Sequence, residues 1–486
     1  MNKKNNTEKN YKNLHKSARE FTTRDAYLEN ELKIMSPKRW GINLPKRDFN
    51  FEIEDIVPAI SGTIGKIVMT TAIVAAFATG FGLPFEFVVE NVRFELLIAA
   101  LLFVIPICGF LNPKVNLSGC HGPMIPLIGL IVAAGGHPLA LGILIGILGL
   151  ILALLKGGSR LVNLTGIGVR GGLLIFLGMM GLLGQINALR SWAEGIGGEL
   201  IFLIVILITI ISYAYLARIG KRWLAIPLCS LFAMIVALFM GAPFEFTTAP
   251  GIPNLNPFYW WGTETGWMLG LPNIGHFVAA LPFAILAIAM WPPDFLGHRI
   301  FQEMNYPKNT EKVLMDVDDT MSVASVRQVI GNLLGGGNIT SSWGTYMISA
   351  GIAKRPIPAG AILTGIGCIL AAILGFPMDI AMWPPVLRVA LIVGVFLPLL
   401  EAGMQMIHET KEAQGAALCM FGSVLINPVF GWSFAMLLDN SGILGDIERA
   451  KSLSMMDHIT IPLITFIICV GAMAVVGMIP GIPMMI

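Results

Sequence analysis

The sequence predicts an all-α polytopic membrane protein, and three observations carry that prediction. The chain of 486 residues is 55% hydrophobic and only 13% charged, with a mean hydropathy of +0.75. Apolar runs of about 20 residues, enough to cross a hydrocarbon core of about 30 Å, recur along it. Lys and Arg cluster in every second connection between those runs.

The runs are, in order, 56–79, 94–111, 138–155, 167–187, 200–217, 223–241, 274–302, 357–376, 385–407, 414–438 and 458–479. Three further segments, 117–135, 321–335 and 339–352, are too rich in Gly, Ser, Thr and Asn for ordinary spans. Together they make about fourteen transmembrane segments. The basic connections carry Lys156 and Arg160, then Arg218, Lys221 and Arg222, then Arg299, Lys308 and Lys312, then Lys354 and Arg355, then Lys411. This places both termini in the cytoplasm of a cell whose inner membrane the chain crosses; Arg93 and Arg190 are discordant. The loop 242–273 has no Lys or Arg but four Trp or Tyr, which assigns it to the outer aromatic belt. Residues 1–50 hold twelve Lys or Arg against six Asp or Glu and no apolar run, so a mostly flexible cytoplasmic arm is expected. No cleavable signal peptide is visible.

The weak segments come as a pair. "NLSGCHGPMIPLIG" (116–129) and "NITSSWGTYMISAG" (338–351) both open on Asn, an apolar residue and Ser or Thr, and both turn apolar for only half a membrane thickness. Each is the third element of its half of the chain. Interrupted segments at matching positions predict two inverted repeats of seven, 51–245 and 274–486, joined by an extracytoplasmic loop at 246–273, with two half-helices meeting at the midplane.

These stretches resemble the seven-plus-seven inverted-repeat transporters, the superfamily of sulfate permeases and nucleobase/ascorbate permeases, over about residues 52–480. "LLKGGSRLVNLTGIGVRGGLLIFLGMMGLLGQI" (154–186) is similar to the fourth-to-fifth-span stretch of sulfate permeases. "YAYLARIGKRWLAIPLCSLFAMIVALFMG" (213–241) resembles their entry into span seven, and "VRQVIGNLLGGGNITSSWG" (326–344) their ninth span and the approach to the tenth. The chain looks like a divergent bacterial-type member. It stops at Ile486, where sulfate permeases usually continue into a cytosolic regulatory domain, so regulation through such a domain is not expected. The resemblance implies a core bundle (spans 1–4 and 8–11) that carries the site and moves against a gate bundle (spans 5–7 and 12–14). Any homodimer is then expected to form through the gate bundle.

The candidate site follows from this frame. The starts of the half-helices leave unpaired N–H groups and a positive dipole end, a cradle for an anion or polar group. Ser118, Gly119, Cys120 and His121 line one; Asn338, Thr340, Ser341, Ser342, Trp343, Gly344 and Thr345 line the other. Asp294 lies about 25 Å along a span that starts near Phe277 and follows Pro292 and Pro293, which free carbonyls tolerable where a helix lines a cavity. His298 sits at i+4 on the same face, and Phe295, next to Asp294, is a further substrate-binding candidate. The alternative is a helix end with both groups wetted. The resemblance favours a site: nucleobase permeases carry an acid four residues before a Gly-His in span eight, and "DFLGH" matches with Asp for Glu. Asp294 and His298 are therefore the coupling candidates.

Lys66, deep in the first span, is a further coupling or counter-charge candidate, unless it snorkels to the interface. Glu401 and Arg388 are better read as interfacial or gate contacts, and His137 as a loop residue. All six cysteines, at 108, 120, 229, 368, 419 and 469, sit in or beside apolar segments without metal-like spacing, so free buried thiols are expected.

Two functional classes survive. One is a secondary active permease; the other is a membrane-embedded enzyme or an anion channel. No nucleotide-binding motif, metal cluster or nucleophile–base pair at useful spacing is present, so no enzyme activity, cofactor, resident metal or nucleic-acid partner is expected. The partners are the bilayer and a small solute, with a proton or sodium ion as the coupling ion. Nucleobase permeases usually follow the aromatic-Gly of the second cradle with an acid, and Thr345 stands in that place. An inorganic oxyanion or carboxylate is therefore favoured over a xanthine- or uracil-type nucleobase, which stays the alternative because Trp343 can stack on a planar ring.

Overall fold

The computed structural model describes residues 11–115, 122–261, 270–306, 314–334 and 357–485, and all regular structure among them is helical apart from one isolated bridge between Pro45 and Phe49. In chain order the principal helices are α1 (Arg24–Ile34), α2 (Ile56–Phe81), α3 (Phe85–Leu111), α4 (Met124–Ala133), α5 (Pro138–Leu154), α6 (Ile167–Gly195), α7 (Glu199–Arg218) and α8 (Ala225–Phe239). They continue with α9 (Ile274–Asn305), α10 (Val317–Leu334), α11 (Ile357–Leu374), α12 (Phe376–Met382), α13 (Pro384–Gln405), α14 (Thr410–Leu425), α15 (Pro428–Asn440) and α16 (Met456–Val475). Among the described residues, seven helices are long and apolar enough to cross a membrane, or eight with α11 and α12 taken as one span bent by 93°. The protein is a multi-pass helical membrane protein.

Local chemistry sets the helix ends. Gly82 closes α2 in the left-handed region, at φ +66, where its N–H reaches the carbonyls of Ala78 and Thr79. Pro138 and Pro428 occupy the first turns of α5 and α15, where a missing N–H costs nothing, and the residues before them, His137 and Asn427, cap those turns.

The helices pack in two groups. In one, α3 lies on α11, α10 and α9 lie on α5, and α11 lies on α2; in the other, α6 packs on α13 and α14, α7 on α8, α8 on α13, and α15 on α14 and α16. The groups meet where α2 touches α13 and where α9 touches α16. Helices α3 and α11 run antiparallel: Gly109 lies against Ile362, Gly365 against Ile105, and Arg93 Nε donates to the Ala372 carbonyl at 3.3 Å.

The segment 321–335, set apart for its polar residues, is the body of one continuous helix, α10, which is not among the helices apolar enough to be candidate spans. It is held by side-chain fit, because a Cβ on Gly146 of α5 would stand 2.4 Å from Val329 Cγ2 and 2.9 Å from the Ser325 carbonyl oxygen. The absence of a side chain on α5 is what lets the two backbones approach. Replacing Gly146 by Ala should therefore lower the melting temperature by forcing α10 outward. Gly184→Ala on α6, with nothing within 4 Å, should be neutral or stabilising by up to about 1 kcal/mol. Equal melting temperatures for the two variants would contradict this packing.

The run 414–438 is two helices. The chain breaks at Asn427, and α14 and α15 fold against each other so closely that a Cβ on Gly422 would lie 2.8 Å from Gly431 Cα. The N-terminal arm is corrected as well: over its described part it is not a flexible tail. Tyr11, Met35 and Phe49 are buried in a cluster with Ile362, packed on Ile105 and Phe110, while Leu28 and Leu32 of α1 join Tyr306 and Leu314. The apolar residues that hold it are scattered between lysines, so no periodic run betrayed them. Within the outer-loop region, Trp260 is buried edge-on against Phe87 and Phe94 and donates from its indole to the Asn254 carbonyl at 3.1 Å, so this ring packs on α3 instead of facing a lipid belt.

Candidate functional site

A buried ionic triad is the chemical centre of the first helix group. Lys66 comes from α2, Glu95 from α3 and Arg327 from α10. Lys66 Nζ lies 2.8 Å from Glu95 Oε1, and Arg327 Nη1 lies 2.9 Å from both Glu95 oxygens. The side chains are 0%, 2% and 5% exposed. Lys66 and Arg327 each stand about ten residues into their helices, so each lies about 15 Å along its axis at 1.5 Å per residue. Helix α3 changes from α to π geometry at Glu95, which widens the turn that carries the carboxylate.

Charges at such depth in a membrane bundle are costly and are kept where they have partners or a polar path. Around them the packing stays polar. Gln328 is fully buried, with neither its amide nitrogen nor its amide oxygen bonded to a described residue, and Ser325 Oγ and Thr364 Oγ1 are in the same position. Ser325, Gln328 and Asn332 share one stripe of α10 by their spacing. Gly142 and Gly149 of α5 lie against the Asn332 and Ser325 side chains, and Trp291 of α9 also borders Gly149.

Lys66 does not snorkel; it is the counter-charge of Glu95. Phe295 is fully buried and packs on Trp291 with ring centroids 5.9 Å apart. Asp294 and His298 belong to α9, which continues through Pro292 and Pro293, but their side chains lie outside the described part. Ser118, Gly119, Cys120 and His121 lie outside the described residues, and so do Asn338, Thr340, Ser341, Ser342, Trp343, Gly344 and Thr345; the described chain enters these regions at Val115 and Leu334. The remaining cysteines are buried free thiols.

Other ionisable residues are also placed. Glu401 accepts from Tyr213 at 3.1 Å and pairs with Arg222, and Arg388 donates to Gln185 at 2.9 Å; all are contacts within the second group. His137 is more than a loop residue: it is buried, caps α5, contacts the Gly270 carbonyl through Nε2 at 3.1 Å, and lies 5.2 Å from the His276 ring.

A cavity of about 830 Å³ opens at the end of the bundle where α3 begins. Its walls include Glu90 and Arg93 of α3, Thr247 and Thr248 of the 243–250 segment, and Asp379 and Trp383. It shares no residue with the triad. The Asp379 carboxylate accepts from both N–H groups and both hydroxyls of Thr247 and Thr248, at 2.6–3.2 Å. It thereby holds this wall in place.

The sequence reading passed over Glu95 and Arg327. Glu95 is the second residue of the apolar run 94–111, and Arg327 lies in the polar segment 321–335. Their signal was present in part: Lys66 and Glu95 are opposite charges on an apolar background.

Over residues 2–486 the chain matches the model of a family described as Protein of unknown function (DUF3360). The chain belongs to this DUF3360 family. No curated protein matches it. Among solved structures, one titled "The transmembrane domain of a cyanobacterium bicarbonate transporter BicA" is similar at 13% identity with a TM-score of 0.48, covering 79% of this DUF3360 chain and 98% of the other.

Proposed function

We propose that this protein is a secondary active permease that carries a small anionic solute, an inorganic oxyanion or carboxylate, by alternating access coupled to protons or sodium. The observation that carries the reading is the Lys66–Glu95–Arg327 triad, an ionisable cluster buried between three helices of a membrane bundle, where such groups mark solute and ion paths. The division of the helices into two groups supports a core and a gate. Matching pairings support the repeat, since α3 packs on α11 as α10 packs on α5. The hydroxyls and helix starts of the two sequence-predicted cradles favour an anion.

Purified protein in liposomes should concentrate labelled bicarbonate, sulfate or a carboxylate when a proton or sodium gradient is imposed. Uptake of an uncharged nucleobase with none of these anions competing would replace the substrate class. Current without coupling to any gradient would make the protein a channel. Asp294→Asn should abolish concentrative uptake while the protein still folds and elutes as the parent does. Normal uptake with an unchanged pH dependence would remove Asp294 from the mechanism.

A further inference from the structure

The N-terminal arm makes bonds that reach the triad by way of one helix. Arg39 grips Asp319 of α10 with both ends of its guanidinium, Nε to Oδ2 at 2.7 Å and Nη2 to Oδ1 at 2.9 Å. Trp40 Nε1 adds a contact to Oδ1 at 3.4 Å, and Asn112, which closes α3, donates from Nδ2 to Oδ2 at 2.9 Å. Next to this node the arm backbone satisfies the free end of α3: Gly41 N donates to the Leu111 carbonyl at 3.0 Å, and Asn43 N and Nδ2 donate to the Phe110 carbonyl at 2.7 and 2.9 Å. Asp316 N, one residue before α10, donates to the Lys114 carbonyl at 2.9 Å.

Helices α3 and α10 are therefore joined at two levels, by Asn112–Asp319 at the arm end and by Glu95–Arg327 in the interior. Along its length α10 buries Thr320, Ser325, Gln328 and Asn332 beside apolar residues such as Met321 and Val323, and it is not among the helices apolar enough to be candidate spans. Matching of an apolar length to the bilayer gives such a helix little axial constraint. Its height is set by side chains, the close fit on α5 on one side and the rungs to α3 on the other.

We infer that Arg39 and Asp319 are positioning residues, a clamp by which the N-terminal arm fixes the height of α10 against α3 and so places Arg327 on Glu95. The inference rests on the proposed transport reading for the triad's role, but the clamp itself is a statement about coupling between two places in the fold. Arg39 contacts neither Lys66 nor Glu95, and substitutions at sites that share no partner add in their effects on stability. Coupling between them is thus the signature of the clamp.

The test is a double-mutant cycle on the full chain, read by thermal unfolding in detergent, with Arg39→Ala, Glu95→Gln and the pair. The expected result is a fall in melting temperature for the pair clearly smaller than the two single falls together, because loosening α10 already loosens Arg327. Hydrogen exchange in the α10 peptide around Ser325–Val329 should rise at least tenfold in Arg39→Ala. The charge swap Arg39→Asp with Asp319→Arg should return it most of the way. Strict additivity, or exchange that rises only within the arm, overturns the inference. If Glu95→Gln does not yield folded protein, the exchange measurement and the swap decide on their own. Neither readout uses a solute, so a failure of uptake in liposomes counts against the transport reading and leaves this result standing.

Discussion

Glu95→Gln is expected to abolish concentrative uptake and to cause the largest loss of stability of any single change in the triad. The substitution removes the carboxylate that Lys66 and Arg327 share at 2.8 and 2.9 Å, and it does so where the side chains are 0–5% exposed. Breaking a buried ion pair by removing one partner costs about 3–5 kcal/mol, because the charge left behind is no longer compensated. Lys66→Met should be milder in stability, since the Glu95–Arg327 pair survives. It should still impair uptake if Lys66 takes part in coupling. Thermal unfolding of the two variants side by side checks the order, and liposome uptake checks the function. A Glu95→Gln protein that melts no lower than Lys66→Met, or that transports normally, would remove the triad from the centre of the mechanism.

The second large effect is expected at the other end of the bundle. Asp379→Ala takes away the acceptor of four hydrogen bonds from Thr247 and Thr248. Hydrogen bonds to a charged group contribute about 1.5–3 kcal/mol each, and four that share one carboxylate do not add fully, so a loss on the order of 3 kcal/mol is expected. The 243–250 segment should then be cut by protease in detergent under conditions where the parent resists. Asp379→Asn, which keeps one acceptor oxygen, should fall between. An unchanged melting temperature together with unchanged protease resistance would mean that the segment is held by its apolar contacts instead.

Much of the fold was legible because lipid imposes a simple rule on the sequence, in which long apolar runs become helices and basic residues mark alternate connections. Eleven of the read runs fall on described helices, although 414–438 is divided at Asn427 by Pro428, whose ring can begin a helix as readily as it ends one. Helix α10 was harder to read because its apolar residues are interleaved with Ser, Arg, Gln and Asn that face other helices, so hydropathy understates it. The arm was misread for a related reason: Tyr11, Met35 and Phe49 act together only after distant helices supply Ile362 and Phe110.

At the site, the sequence singled out Lys66 but not the identity of its counter-charge. Glu95 lies 29 residues away and Arg327 a further 232, and only the packing of α2, α3 and α10 brings the three together. Asp379 was missed because an acid beside an apolar run reads as an interfacial residue until its four donors are seen.

The thiols described here have a practical side for anyone who wishes to watch the protein work. Cys108, Cys229, Cys368, Cys419 and Cys469 are sealed inside the helix bundle, which leaves Cys120 as the only other sulfhydryl in the chain. A maleimide dye added to the folded, unmutated protein therefore has five shielded targets, and alkylation that precedes unfolding would be assigned to Cys120 by mass. Cys120 belongs to the first sequence-predicted cradle, so slower labelling in the presence of a trial solute would be an occupancy signal obtained without engineering a single position.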